Sequence, residues 1–219
     1  MIDKENMMLN INDIFCSFDG EINAFGQGRR TVFVRFQGCN LKCSWCDQPE
    51  AINWKEEKQA MTIIDTVDKI LEYQCDKVTI TGGEPLFQEY MLNDLVCELK
   101  QHSIKISVET NGTLEPSKLL FHLVDSWVVD VKPFLSEKYL LFPYKELRLT
   151  DFVKFIITDT DDFYDSLHIF DQINNDRTNY YWSAIESDNF GARQLINLLD
   201  EYKINGGINI QLHKLLELK

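Results

Sequence analysis

Thr31-Val-Phe-Val-Arg35-Phe-Gln-Gly-Cys39-Asn-Leu-Lys-Cys43-Ser-Trp45-Cys46 sets an alternating, β-rich run directly before three cysteines that lie within eight residues. The alternation predicts a strand over 31–37. The C-x3-C-x2-C spacing that follows puts three thiolates on one tight loop, enough to hold three corners of an iron–sulfur cube. A structural zinc site wants a fourth Cys or His at short spacing. His102, His122, His168 and His213 are all distant in sequence. Three protein ligands leave one iron open, which suits a cluster that binds and cleaves something better than one that only carries electrons.

Outward from this loop, strands and helices alternate. Strands are predicted over 77–81, 105–109, 126–131, 152–158, 179–185 and 207–212. Helices are predicted over 62–73, 88–101, 116–124, 162–173 and 192–202. The first 11 residues read as a loose start and 13–28 as loop, with a short strand at 14–18. Such alternation argues for parallel βαβ units. The strands are too few for a closed eight-unit barrel, which needs about 250 residues. The expected fold class is therefore α/β, a partial (open) parallel β/α barrel. It is read as a single domain over 1–219, with 1–30 as an N-terminal substrate-loop region and 31–219 as the barrel. In such folds functional groups gather at the carboxyl ends of the strands. Cys39, Gly82-Gly83-Glu84, Asn111 and Lys132 fall at four successive ends.

Composition narrows the function. The chain has 219 residues, 44% of them hydrophobic, enough for a sizeable core. With 22 Lys+Arg against 35 Asp+Glu, the net charge is −13. A surface that acidic repels phosphate backbones, so an extended nucleic-acid-binding face is not expected. No apolar run is long enough to span a membrane. The N-terminus lacks the basic-then-apolar pattern of a signal peptide, giving a cytoplasmic reading. In a reducing compartment the cysteine cluster suggests metal binding rather than disulfides. Cys75 and Cys97 read as core residues; Cys16 has no assigned role.

The cysteine loop after a first barrel strand resembles the radical S-adenosylmethionine (SAM) superfamily, and the likeness covers nearly the whole chain. It implies a 4Fe-4S cluster held by Cys39, Cys43 and Cys46, whose open iron chelates SAM. Trp45 matches the aromatic position against the adenine. Thr81-Gly82-Gly83-Glu84-Pro85 matches the motif that receives the SAM amino group, with glycines that let backbone approach a ligand and a carboxylate suited to an ammonium. Glu109-Thr-Asn111-Gly112 sits where ribose or methionine is contacted, and Lys132 where the fourth strand meets SAM. An external electron donor of flavodoxin or ferredoxin type is also implied.

Both ends of the chain resemble the 7-carboxy-7-deazaguanine synthase branch: Asp13-Ile-Phe-Cys-Ser-Phe18-Asp19-Gly20-Glu21 with Arg35, and Gln211-Leu-His213-Lys214. The likeness places Phe18, Asp19, Gly20, Glu21, Arg35, Thr81, Gln211 and His213 at the substrate. Two departures stand out. The first loop reads Asp19-Gly20-Glu21-Ile22 where the synthases have Gln-Gly-Glu-Gly. Cys46-Asp47 is followed by Gln48 where they carry a Thr or Ser whose hydroxyl helps bind magnesium. The resemblance therefore does not carry magnesium across, although an amide oxygen can bind a hard cation. These departures favour a relative of the synthases, a radical SAM lyase that releases queuine from a queuosine nucleotide. On that expectation Arg35 or His213 meets the phosphate or sugar, and the partner is a small 7-deazapurine nucleotide. The synthase itself, a glycyl-radical activase and an electron-transfer module remain alternatives. Homodimerisation, common in the synthases, is left open.

Overall fold

β2 (Arg30–Phe36) alternates as its sequence predicts. Val32, Val34 and Phe36 are wholly buried on one face, while Phe33 and Arg35 on the other are half-buried. The computed structural model describes residues 8–56, 58–133 and 142–218. They fall into two compact units. The first comprises the chain up to Asp19, Arg29–Thr110 and Pro116–Asp125; the second comprises Gly20–Gly28, Asn111–Glu115 and the chain from Ser126 onward.

The first unit carries β1 (Leu9–Phe18), β2, β3 (Gln59–Met61), β4 (Lys77–Gly82) and β5 (Lys105–Thr110), in the order β3-β1-β2-β4-β5. β2, β4 and β5 are parallel. Val78, Ile80, Ile106 and Val108 are wholly buried and so are Thr79 and Ser107, as expected for parallel strands covered on both faces. α1 (Ile63–Glu72), α2 (Glu89–Gln101) and α3 (Lys118–Leu123) complete the unit. Thr62 and Ser117 cap α1 and α3 by accepting from Asp65 N and Leu120 N.

One expectation is corrected here. Residues 9–18 form a ten-residue strand, which extends the short strand expected over 14–18 back to Leu9, and it runs antiparallel to β2; β3 adds a second antiparallel pairing. The N-terminal loose start fails from Leu9 onward, and residues 1–7 lie outside the described ones. The physical reason is visible in the register. A shift between Ile11 and Asp13 breaks the alternation that would have announced a strand. Asn10 and Asn12, which read as loop residues, are held by Gln88 and Gln37.

The second unit carries β6 (Ser126–Val131), β7 (Phe152–Ile157), β8 (Asn179–Ala184) and the two-residue β9 (Gly207–Ile208), in sequence order and parallel. α4 (Thr160–Ile173), α5 (Ala192–Glu201) and the short α6 (Leu212–Leu215) accompany them. The strand expected over 207–212 is thus mostly a loop followed by a helical turn. Together the elements give the open α/β architecture that the sequence predicts, not a closed barrel.

Trp182 anchors the second unit's core. It is wholly buried, stacks 4.9 Å from Phe155 and donates Nε1 to Ser166 Oγ of α4 at 2.8 Å. Gly206 lies against its ring, where a Cβ would sit 2.3 Å from Cζ3. Trp182→Ala is expected to lower stability by about 3–5 kcal/mol, read as an earlier midpoint in urea unfolding.

Candidate active site

The first unit builds the cysteine loop from backbone outward. β2 ends at Phe36, and Gln37 behind it is almost wholly buried. Gln37 Nε2 donates to the carbonyls of Glu50 (3.0 Å) and Asn53 (2.9 Å), gripping the far end of the loop. Gly38 N and Cys39 N donate to Ala51 O and Ile52 O at 2.8 and 3.0 Å. Gly38 has φ +101°, and a Cβ there would lie 2.9 Å from Trp54 Cβ, so only glycine makes this turn without strain. Between these stitches Cys39, Cys43, Trp45 and Cys46 are half-buried. All six cysteines of the chain are thiols. Leu41 N donates to Cys39 Sγ at 3.4 Å, and Cys46 N to Cys43 O at 3.2 Å.

Gly82 and Gly83 let two pieces of backbone meet. A Cβ on Gly82 would meet Phe36 N at 2.2 Å, and one on Gly83 would meet Gly38 O at 2.1 Å. Gly83 N donates to Phe36 O and Glu84 N to Gly38 O. The space that the missing side chains free is filled by the root of the cysteine loop. Glu84 is wholly buried. Its Oε1 accepts from Leu86 N (3.0 Å), capping the 3-10 turn at Pro85–Gln88, and from Thr110 Oγ1 (2.8 Å). This carboxylate therefore shapes the loop.

Strand register aligns three other expected residues. Arg35 pairs with Thr81 across β2 and β4, and Thr81 Oγ1 donates to Glu109 Oε2 of β5 at 2.8 Å. The Arg35 guanidinium lies 4.9 Å from the Phe15 ring centroid. Its Nε is buried without a hydrogen-bond partner among the described residues. Asp19 was expected at the substrate, but it is 1% exposed and its Oδ2 lies 2.8 Å from Lys77 Nζ. Thr79 Oγ1 donates to Asp19 Oδ1, and Lys77 also reaches Thr79 and Ser107. Burial pushes the Lys77 ammonium below its usual range, and Asp19 opposes that shift. Asp19 thus belongs to a closed buried network. Phe18 ends β1 and is exposed.

The second unit gathers Gly20, Glu21, Lys132, Gln211 and His213. Gly20 O accepts from Leu212 N, and a Cβ on Gly20 would overlap the His213 ring at 2.0 Å. Gln211 Nε2 donates to Glu21 Oε1 at 3.0 Å. Lys132 Nζ lies 3.7 Å from Asp130 Oδ2. Asn111 is buried, and its Oδ1 accepts from Thr113 N and Oγ1, closing a tight turn. Lys154 of β7 was missed in the sequence. It ion-pairs with Glu21 Oε2 and, at 2.9 Å, with Asp130 Oδ1. The available signal was one charged residue inside the otherwise apolar strand FVKFII. Burial, aided by the Lys214 charge, pushes its ammonium down to about 7.

The donor set on the cysteine loop fits an iron–sulfur cluster: three half-buried thiols of soft-ligand chemistry on one backbone-pinned loop. Among the described residues no three His, Cys, Asp or Glu side chains are already drawn together around a metal position. Gln48 Oε1, at the position where magnesium was left unassigned, is buried without a hydrogen-bond partner among those residues. Among them, too, no helix is long and apolar enough to cross a membrane.

Comparison with known proteins places this geometry. The radical SAM superfamily profile matches residues 33–129. The 7-carboxy-7-deazaguanine synthase of Clostridium acetobutylicum is 29% identical over 220 residues, 96% of each chain. That of Aquifex aeolicus is 30% identical over 154 residues, 70% of this chain and 67% of the other. The crystal structure of QueE from Escherichia coli superposes with a TM-score of 0.73 at 21% identity, covering 95% of this chain and 96% of that one. Streptococcus suis SuiB bound to its precursor peptide SuiA gives 0.56 at 15% identity, over 78% of this chain and 46% of that one. The curated relatives correct the expectation of a queuine-releasing lyase, because they carry the synthase name, one of them over 96% of both chains. The cofactors of the superfamily are a 4Fe-4S cluster and SAM, as the cysteine loop predicts. The chain belongs to the 7-carboxy-7-deazaguanine synthase family of the radical SAM superfamily.

Proposed function

We propose that this chain is a cytoplasmic 7-carboxy-7-deazaguanine synthase, acting as one catalytic domain on 6-carboxytetrahydropterin. The observation that carries the reading is the match over 96% of both chains to a protein of that name. When bound, the cluster and SAM supply a 5′-deoxyadenosyl radical that removes a hydrogen atom from the substrate.

The chain's own residues have separable tasks. Cys39, Cys43 and Cys46 hold the cluster and leave one iron for SAM. Trp45 flanks the adenine, and Glu109 and Lys132 contact SAM through polar groups. Gly82, Gly83, Glu84 and Asn111 act on SAM by fixing the backbone around it, a role supported by their internal hydrogen bonds and close approaches. Glu21 accepts from the N–H edge of the substrate, with Gln211 steadying its carboxylate. Arg35 offers its unpartnered guanidinium nitrogen to the substrate carboxylate, where a planar fork has the right geometry. Thr81 sits beside Arg35 in register; Phe18, Gly20 and His213 are further substrate contacts. Asp19 acts indirectly, by fixing the chain where the Gly20–Gly28 segment begins. An external one-electron donor of flavodoxin or ferredoxin type reduces the cluster.

The test is anaerobic reconstitution with iron and sulfide, then dithionite, SAM and either 6-carboxytetrahydropterin or queuosine 5′-phosphate. Formation of 7-carboxy-7-deazaguanine from the pterin is expected; release of queuine from the nucleotide instead would overturn the reading. Cys43→Ala is expected to abolish the brown chromophore and turnover together, measured by visible absorption and bound iron. Arg35→Ala is expected to lower kcat/KM for the pterin about 10–100-fold, the loss of one charged hydrogen bond. Arg35→Lys should recover little of it, because an ammonium lacks the fork.

A further inference from the structure

Lys154 stands where a lysine is hardest to keep. It lies inside β7 between Val153 and Phe155, both wholly buried, and its side chain is 3% exposed. Taking an ammonium out of water is unfavourable unless it is well paired, and an apolar residue of similar volume would fit the strand pattern better. Its partners come from two other parts of the second unit. Glu21 belongs to the Gly20–Gly28 segment and Asp130 to β6. Their side chains are more open than the lysine, at 12% and 26% exposed. The lysine therefore lies behind two carboxylates that are nearer to solvent.

The contacts also divide the carboxylate oxygens. Glu21 Oε2 faces Lys154, and Oε1 accepts from Gln211. Asp130 Oδ1 faces Lys154, and Oδ2 faces Lys132. The result is a ladder of alternating polarity: Gln211, Glu21, Lys154, Asp130, Lys132. Glu21 Oε1 has a hydrogen-bond donor and Oε2 an ion-pair partner, so the plane of the carboxylate is set before any ligand arrives. Such pre-set geometry reduces what binding must order.

We infer that Lys154 is a positioning residue, which holds Glu21 oriented so that this carboxylate presents its remaining lone pairs to an N–H-bearing heterocycle edge. This rests on the proposed reading for the identity of the heterocycle, but not for the ladder itself. Lys154 does not touch the ligand; it acts through Glu21.

Two measurements on the reconstituted protein test this. The first needs no substrate. The carboxyl 13C resonance of Glu21, assigned through Glu21→Gln, is expected to shift in Lys154→Met; an unmoved signal overturns the inference. The second is a double-mutant cycle with 6-carboxytetrahydropterin. Lys154→Met and Glu21→Gln are each expected to raise KM at least about tenfold while changing kcat less than about threefold, and the double variant should match Glu21→Gln alone. Multiplicative losses, or a fall in kcat at constant KM, would show that Lys154 does not act through Glu21. Should Lys154→Met fail to fold, Lys154→Arg keeps the charge and displaces the carboxylate. The same KM rise and 13C shift are then expected, and neither appearing overturns the inference. A wild-type protein inert toward the pterin, with the 13C shift present, would sink the synthase reading and leave the ladder standing.

Discussion

Everything on the cofactor-holding side hangs on a contact between two pieces of backbone. Phe36–Gly38 and Gly82–Glu84 lie so close that no side chain fits between them, and two hydrogen bonds join them. The root of the cysteine loop and the turn after β4 are therefore one rigid piece, although more than forty residues separate them in the chain. A loop that carries soft ligands has little side-chain packing of its own to order it. Here the order is borrowed from strands β2 and β4 through peptide groups, which keeps the ligating side chains out of the structural role.

Charge inside the protein follows the opposite strategy. The first unit buries Lys77 with Asp19 among three hydroxyl groups, and the second buries Lys154 with Glu21 and Asp130. Neither cluster is a good source of stability, because desolvation offsets most of the Coulomb attraction. Their value is conformational. Asp19 and Glu21 are only two residues apart, yet each is held by a different lysine, so the chain that passes between them has fixed points on both sides.

Much of this was legible in the sequence, for reasons that differ by element. The parallel strands after the first helix announce themselves because both faces are buried and the runs are apolar, as in KVTIT and SWVVDV. The cysteine spacing has few structural explanations, so it points to its chemistry directly. β1 is legible only over 14–18, because a register shift and two asparagines disguise its first half, and β3 is not, because three residues carry no period. Residue type points to Asp19 and Glu84 as polar groups of a site, but a carboxylate in the sequence does not disclose that a buried lysine or a turn contacts it as well. Lys154 was overlooked for the mirror reason: a charged residue in an apolar strand looks like noise until its partners, 24 and 133 residues away in the chain, are placed beside it. The departures at Gln48 and in the first loop carried too much weight in favour of a lyase. Local substitutions of that kind say less about a reaction than an end-to-end match does.

The half-buried cysteine loop has a consequence for the life of the protein before its cluster is inserted. Cys43 and Cys46 are separated by two residues in a turn closed by a 3.2 Å hydrogen bond, and both thiols are within reach of solvent. Neighbouring accessible thiols are the ones that oxidants convert to disulfides or sulfenic acids. Binding a cluster would therefore also shield this pair of thiols from oxidants.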